Sequence, residues 1–175
     1  MIKWGILSTA KIATEQIIPA ITESKNSIIR GIASRDIKKA KKISKQFDIP
    51  KFFGTYDELL NCKKIDAIYI PLPTSQHVEW SIKSLKAKKH VLCEKPIALN
   101  VKEIDRINLE INKSNKIFSE AFMVYYHPQW KKVKELILNG EIGELKHVQG
   151  CFTYFNIDPK NIRNIPELGG GVLPD

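Results

Sequence analysis

Short apolar runs alternate with amphipathic segments through the first two-thirds of this 175-residue chain, and that alternation limits the folds open to it. Strands are expected at Ile2–Leu7, Ile28–Ala33, Lys51–Phe53, Ile65–Ile70, His90–Cys93 and Ile117–Glu120. Between them, helices are expected over Lys11–Glu23, from an Asp36 N-cap to Phe47, from Thr55, over Ser75–Lys88 and over Val101–Lys113. Pro19 must kink or shorten the first helix, because proline lacks the N–H and crowds the preceding turn. Apolar strands separated by helices predict a parallel sheet covered on both faces, an α/β, doubly wound arrangement of the dinucleotide-binding type.

After Ala121 the pattern changes. Pro128–Asn139 reads as a helix ended by Gly140, and Leu145–Phe155 alternates as a long strand does. A polar loop, Asn156–Glu167, and the run Gly169-Gly170-Gly171 follow. A lone strand is unstable as a sheet. The expected division is therefore residues 1–121 as a complete domain and 122–175 as the beginning of a second, incomplete α/β domain. Leu145–Phe155 would present an apolar face, predicting aggregation or association with a complementary C-terminal piece.

Composition narrows the function classes. Hydrophobic residues at 43% and charged residues at 27% suit a soluble globular protein. No apolar stretch approaches the roughly 18–20 residues of a membrane span, and Met1–Gly5 lacks a signal peptide's apolar core, so a cytoplasmic location is expected. Cys62, Cys93 and Cys151 are too far apart for a CxxC metal site, and an odd count argues against a disulfide framework. The net charge of +9 raises nucleic acid as a partner. Its lysines, however, lie along expected helix faces (Lys38, Lys39, Lys41 and Lys42, then Lys83, Lys86, Lys88 and Lys89), without interleaved aromatics, so a solvated basic surface is expected instead.

Open parallel sheets bind ligands beyond the carboxyl ends of their strands. The first strand ends in Ser8-Thr9-Ala10-Lys11-Ile12-Ala13, in the place of a G-x-G-x-x-G/A loop but with Ser8 and Ala10 for glycines. Small residues there let a pyrophosphate approach a helix N-terminus, and a plain strand–helix turn is the competing reading. The second ends in Ser34-Arg35, where a hydroxyl and a guanidinium suit a 2′-phosphate and favour NADP over NAD, against the alternative of a surface arginine in a turn. The fourth ends in Pro71-Leu72-Pro73-Thr74-Ser75-Gln76-His77. There Thr74 or Ser75 can cap the next helix, and His77 faces either a cofactor or solvent. The fifth ends in Glu94-Lys95-Pro96, delivering a lysine beside a carboxylate to the site edge, or else forming a surface ion pair before a turn.

Together with Glu120-Ala121-Phe122-Met123, Tyr126-His127-Pro128, Asn161-Ile162-Arg163 and the glycine run, these strand ends resemble the glucose–fructose oxidoreductase / inositol dehydrogenase / rhizopine catabolism (Gfo/Idh/MocA) family along the whole chain. The resemblance is strongest to the branch acting on xylose, related sugars and dihydrodiols with NADP. It implies a Rossmann-type nucleotide domain followed by a substrate and dimerisation domain. It also implies hydride transfer between nicotinamide and the hydroxyl-bearing carbon of a carbohydrate or cyclic diol. Lys95 is the implied proton-transfer residue, and Asp175 a second acid that orients substrate. Cofactor contacts are implied for Ser8, Thr9, Ala10, Lys11, Ile12, Ser34, Arg35, Pro71, Leu72, His77, Glu94, Lys95 and Arg163.

Three positions depart from the family pattern besides Ser8 and Ala10. Thr74 stands for a frequent Asn, Tyr125 for a frequent Arg, and Pro174 precedes Asp175 where a helix normally begins. The family's catalytic His or Tyr would fall four residues past Asp175. The sequence thus reads as the first half of such an enzyme, its homo-oligomer interface mostly absent. Two alternatives stand beside the enzyme: a truncated nucleotide-binding remnant with impaired catalysis, and an unrelated basic interaction protein.

Overall fold

Residues 1–171 are described by a computed structural model of the chain. Its strands are β1 (Ile2–Leu7), β2 (Ser27–Ala33), β3 (Phe52–Phe53), β4 (Ala67–Ile70), β5 (His90–Glu94) and β6 (Phe118–Ala121). All pair in parallel in the order β3-β2-β1-β4-β5-β6. The chain therefore reverses its direction of winding between β1 and β4, where two crossovers leave the sheet on opposite sides.

Side-chain alternation sorts the strand residues into two cores. Leu7, Ile68, Ile70 and Val91 pack on one face with Leu59, Leu85 and Ile107. On the other, Ile6, Ile32 and Tyr69 pack with Ala13, Ile18 and Ile49. Burial on both faces explains why β4, Ala-Ile-Tyr-Ile, is apolar throughout. A side chain at Gly5 would come within 2.7 Å of Leu59, so glycine is what lets helix α3 (Tyr56–Leu60) lie close on β1.

The helices start where the sequence supplies acceptors for their first N–H groups. Asp36 accepts from the amides of Lys38 and Lys39 at the head of α2 (Ile37–Gln46). Thr55 and Glu58 form a reciprocal capping box on α3. Asn100 accepts from Glu103 N–H at the head of α5 (Val101–Ser114).

The expected Lys11–Glu23 helix is interrupted at Pro19: Ala13–Ile17 widens into a π turn immediately before a shortened α1 (Ile18–Glu23), which takes up the proline near its first position. Two local expectations are corrected. Neither Thr74 nor Ser75 caps α4 (His77–Lys86). The chain enters it through a 3₁₀ turn, Thr74–Gln76, in which the Pro73 carbonyl accepts from Gln76 N–H. Leu145–Phe155 forms no strand. No segment among the described residues pairs with it, and without a ladder its backbone has no reason to stay in register.

Helix α6 (Pro128–Leu138) is present as expected, and beyond it 3₁₀ turns at Ile162–Asn164 and Pro166–Leu168 bring the chain back to the sheet. Gly169, at φ +84, settles against Thr74 and Leu99 so closely that a side chain there would meet both within 3 Å. No helix among the described residues is long and apolar enough to cross a membrane.

Candidate active site

The carboxyl ends of β1, β4 and β5 open onto one cleft of about 410 Å³, within the size range of small-ligand sites. Its walls include Ala10, Lys11 and Ile12 after β1, Pro71 and Leu72 after β4, His77, then Glu94 and Lys95 at the end of β5, and Arg163 from the returning segment. Nine of the expected site residues are thus brought together across more than 150 positions of sequence. Lys11, Lys95 and Arg163 outnumber the Glu94 carboxylate on that wall, an electrostatic balance suited to a polyphosphate. Lys95 and Arg163 also border two adjoining clefts, one shared with Thr153 and Asn156, the other with Ala121 and Phe122.

Ser8 shows how the altered loop keeps its shape. Its φ is +103, a conformation that favours glycine, and the hydroxyl offsets part of the strain by accepting from Ala10 N–H at 3.0 Å. The Ser8 amide donates to the Ala33 carbonyl at 2.8 Å, fastening the loop to β2. A helix-opening bond from Thr14 N–H to the Ala10 carbonyl follows, so the loop delivers a helix N-terminus to the cleft.

Ser8, Thr9, Ser34 and Arg35 stand beside this cleft rather than in its wall. Ser34 is buried and its hydroxyl accepts from Asp36 N–H at 3.2 Å, so it shapes the turn that presents Arg35, which is exposed. The Arg35 guanidinium and Ser8 hydroxyl both face the Tyr56 hydroxyl. Burial raises the Tyr56 pKa, and those two neighbours pull it part of the way back. Tyr56 thereby links the ends of β1 and β2, a contact that sequence reading missed because Tyr56 presents itself as one more apolar position on a short helix.

The approach to Lys95 is fixed on both sides. Tyr69, fully buried in β4, donates its hydroxyl to Glu94 Oε1 at 2.6 Å. Burial first, and then that carboxylate, raise the Tyr69 pKa. Beyond Lys95 the Lys95–Pro96 peptide is cis, and Ile97 N–H donates to Glu120 Oε1 at 3.1 Å. His77 is buried, which settles its open alternative against solvent, and its two ring nitrogens lie 2.7 Å from the Pro96 and Leu72 carbonyl oxygens. Neither Glu120, read as the end of an expected strand and part of the family resemblance, nor Tyr69, read within an apolar strand, was named among the expected site residues. Polar residues inside or ending apolar runs were the available signal.

Two further residues divide along the same line. The Cys93 thiol is pushed up to about 12 by burial, so it packs as the small core residue expected. Lys89, expected on a solvated helix face, is instead buried: its ammonium donates to the Cys62 and Ile65 carbonyls at 2.9 and 2.7 Å, and burial lowers its pKa. The sequence signal was its place immediately before the apolar β5. Asp175 lies outside the described residues. Among the described residues no His, Cys, Asp and Glu group could hold a metal ion.

The donor set fits a dinucleotide phosphate. A glycine-like turn and a helix start follow β1, a guanidinium projects at the end of β2, and cations line the cleft. Comparison with known proteins points the same way. Residues 2–122 match the model of an oxidoreductase family with an NAD-binding Rossmann fold. Over its full length the chain is 42% identical to an uncharacterized oxidoreductase of Rhizobium meliloti, covering 52% of that protein. It is 34% identical over 98% of its length to D-xylose 1-dehydrogenase (NADP(+)) 2 of Haloferax volcanii, covering 53% of it. A crystal structure of a 3-ketoreductase from Actinomadura kijaniata in complex with NADP superposes with a TM-score of 0.78 and 33% identity. That match covers 82% of this chain and 45% of the other. The chain spans about half the length of the curated relatives it matches.

Proposed function

This chain belongs to the Gfo/Idh/MocA oxidoreductase family, and on that premise we propose that it serves NADP-dependent hydride transfer at a hydroxyl-bearing carbon of a sugar, polyol or dihydrodiol. The observation that carries this reading is the position of Lys95. It directly follows β5, which neighbours β4 at the winding reversal of a parallel sheet, and it borders three clefts at once. NADP, when bound, supplies the hydride chemistry.

In this reading residues 1–121 form the nucleotide-binding unit and residues from 122 onward belong to the substrate unit. Ser8, Thr9, Ala10, Lys11 and Ile12 hold the pyrophosphate by backbone donors and the helix start. Arg35, steadied by Tyr56, pairs with the 2′-phosphate and Ser34 shapes its turn. Pro71, Leu72 and His77 wall the nicotinamide end, with Glu94 fixed beneath it by Tyr69. Lys95 gives or takes the proton at the substrate oxygen, and as a cation it stabilises developing alkoxide charge there. Asp175 assists by orienting substrate, and Arg163 closes the open side of the cleft.

Titration with NADP, followed by assay with D-xylose, polyols and dihydrodiols, tests the reading. Turnover that disappears in Lys95→Met supports it; turnover unchanged in that variant refutes the role of Lys95. NADP binding without turnover of any substrate would leave a nucleotide-binding module, a result favoured by the amount of apolar surface that residues 122–171 expose.

A further inference from the structure

We propose that His77 is a positioning residue that sets Lys95 in the cleft by donating from both ring nitrogens to two backbone carbonyls. The inference rests on Lys95 being the proton-transfer residue of the proposed function. A carbonyl oxygen accepts hydrogen bonds and cannot donate them. A neutral imidazole has one N–H and one lone pair, so it can satisfy only one of the oxygens that lie 2.7 Å from Nδ1 and Nε2. The other contact would set lone pair against lone pair inside a buried site. Both contacts close together only when both nitrogens carry protons.

The two carbonyls sit at informative places. That of Pro96 immediately follows Lys95, and that of Leu72 belongs to the exit of β4. The ring therefore ties the end of β5 to the end of β4 across the floor of the cleft. Glu120 holds the next amide, Ile97 N–H, and Tyr69 holds the Glu94 carboxylate on the preceding side. Of residues 94–97, the lysine is thus flanked by anchors in both directions along the chain. A lysine on a four-carbon stem loses much rotamer freedom when its task is fixed, and a clamped backbone removes the part of that disorder that comes from the main chain.

The charges around the ring bear on when the clamp is closed. Glu94 and Lys95 face the cleft from β5, Lys11 from the first helical segment and Arg163 from the returning segment, while Glu79 lies on the first turn of α4 itself. Glu120 acts from β6 through Ile97. Glu94 thus shares the cleft with three cations, Lys11, Lys95 and Arg163. A bound polyphosphate would offset those cations in the cleft.

The test uses the full chain with ring-15N histidine, observed by long-range 1H–15N NMR over a pH series with and without NADP. The His77 ring is expected to show two protonated nitrogens, and the Ile97 amide to titrate on the same curve as the ring while β1 amides stay still. In His77→Gln the Ile97 amide should stay at its high-pH position at every pH, whereas Glu120→Gln should weaken the Ile97 anchor and leave the two-proton ring signature intact. A ring with one protonated nitrogen throughout, or an Ile97 amide indifferent to the ring, overturns the proposal. If His77→Gln fails to fold, the wild-type pH series alone decides. None of these readouts needs turnover. Loss of the functional reading would appear instead as a wild-type chain that binds no NADP.

Discussion

Residues 1–121 and 122–171 carry similar apolar side chains but treat them in opposite ways. In the first part Ile6, Leu7, Ile32, Ile68 and Leu85 are wholly inaccessible, and each strand finds a neighbour. In the second, Phe152 and Phe155 remain 88% and 85% exposed, and Trp130, Leu138 and Val148 face outward too. Burial of a large apolar side chain contributes about 1.5–3 kcal/mol. The first part therefore buries its apolar side chains, while those of the second find no such cover among the described residues. Yet both contribute to the site, since Arg163 and Gly169 come from the second.

The largest effect expected from this contrast lies in chemistry. Lys95→Met should lower NADP-dependent turnover by about 10²–10⁴-fold, the usual contribution of a positioned acid–base group, as read by single-turnover kinetics. Core truncation comes next. Ile68→Ala should cost about 2–5 kcal/mol in urea unfolding, whereas Phe155→Ser should change stability by less than about 0.5 kcal/mol while reducing self-association in sedimentation. If Phe155→Ser destabilised the chain as much as Ile68→Ala, the second region would have a hidden core and the comparison would break.

A smaller effect sharpens the first region itself. Asp36→Ala removes the acceptor for two amides of α2 and should cost about 1 kcal/mol, seen as a shift of the urea midpoint at constant slope. The thiols offer a label for the same divide. Cys151 is exposed and Cys93 buried with its thiol pushed up to about 12, so iodoacetamide should modify Cys151 in the folded chain and reach Cys93 only on unfolding. Prompt modification of Cys93 would mean that β5 opens readily.

Much of the first region was legible because periodicity and capping are local. Alternation marks both strand faces, and Asp36 and Thr55 announce the helices they start. What escaped was settled by three-dimensional company. Lys89 reads as surface lysine until Cys62 and Ile65 are seen to offer it carbonyls. Leu145–Phe155 reads as a strand because alternation records side-chain faces and says nothing of whether a partner supplies the ladder. In the site, the strand-end motifs located the cleft, but Tyr56, Tyr69 and Glu120 support it from positions whose sequence neighbours look like ordinary core.

The central claim is that residues 1–121 carry an NADP site built around Arg35 and Lys95. Calorimetric titration of NADP and NAD into the wild-type chain and Arg35→Ala measures it most directly. Loss of one charge-assisted contact amounts to about 1.5–3 kcal/mol, so NADP should bind the wild type about 10–100-fold more tightly than NAD, and Arg35→Ala should erase most of that preference. Equal affinity for the two nucleotides in the wild type, or a preference unmoved in Arg35→Ala, would contradict the account.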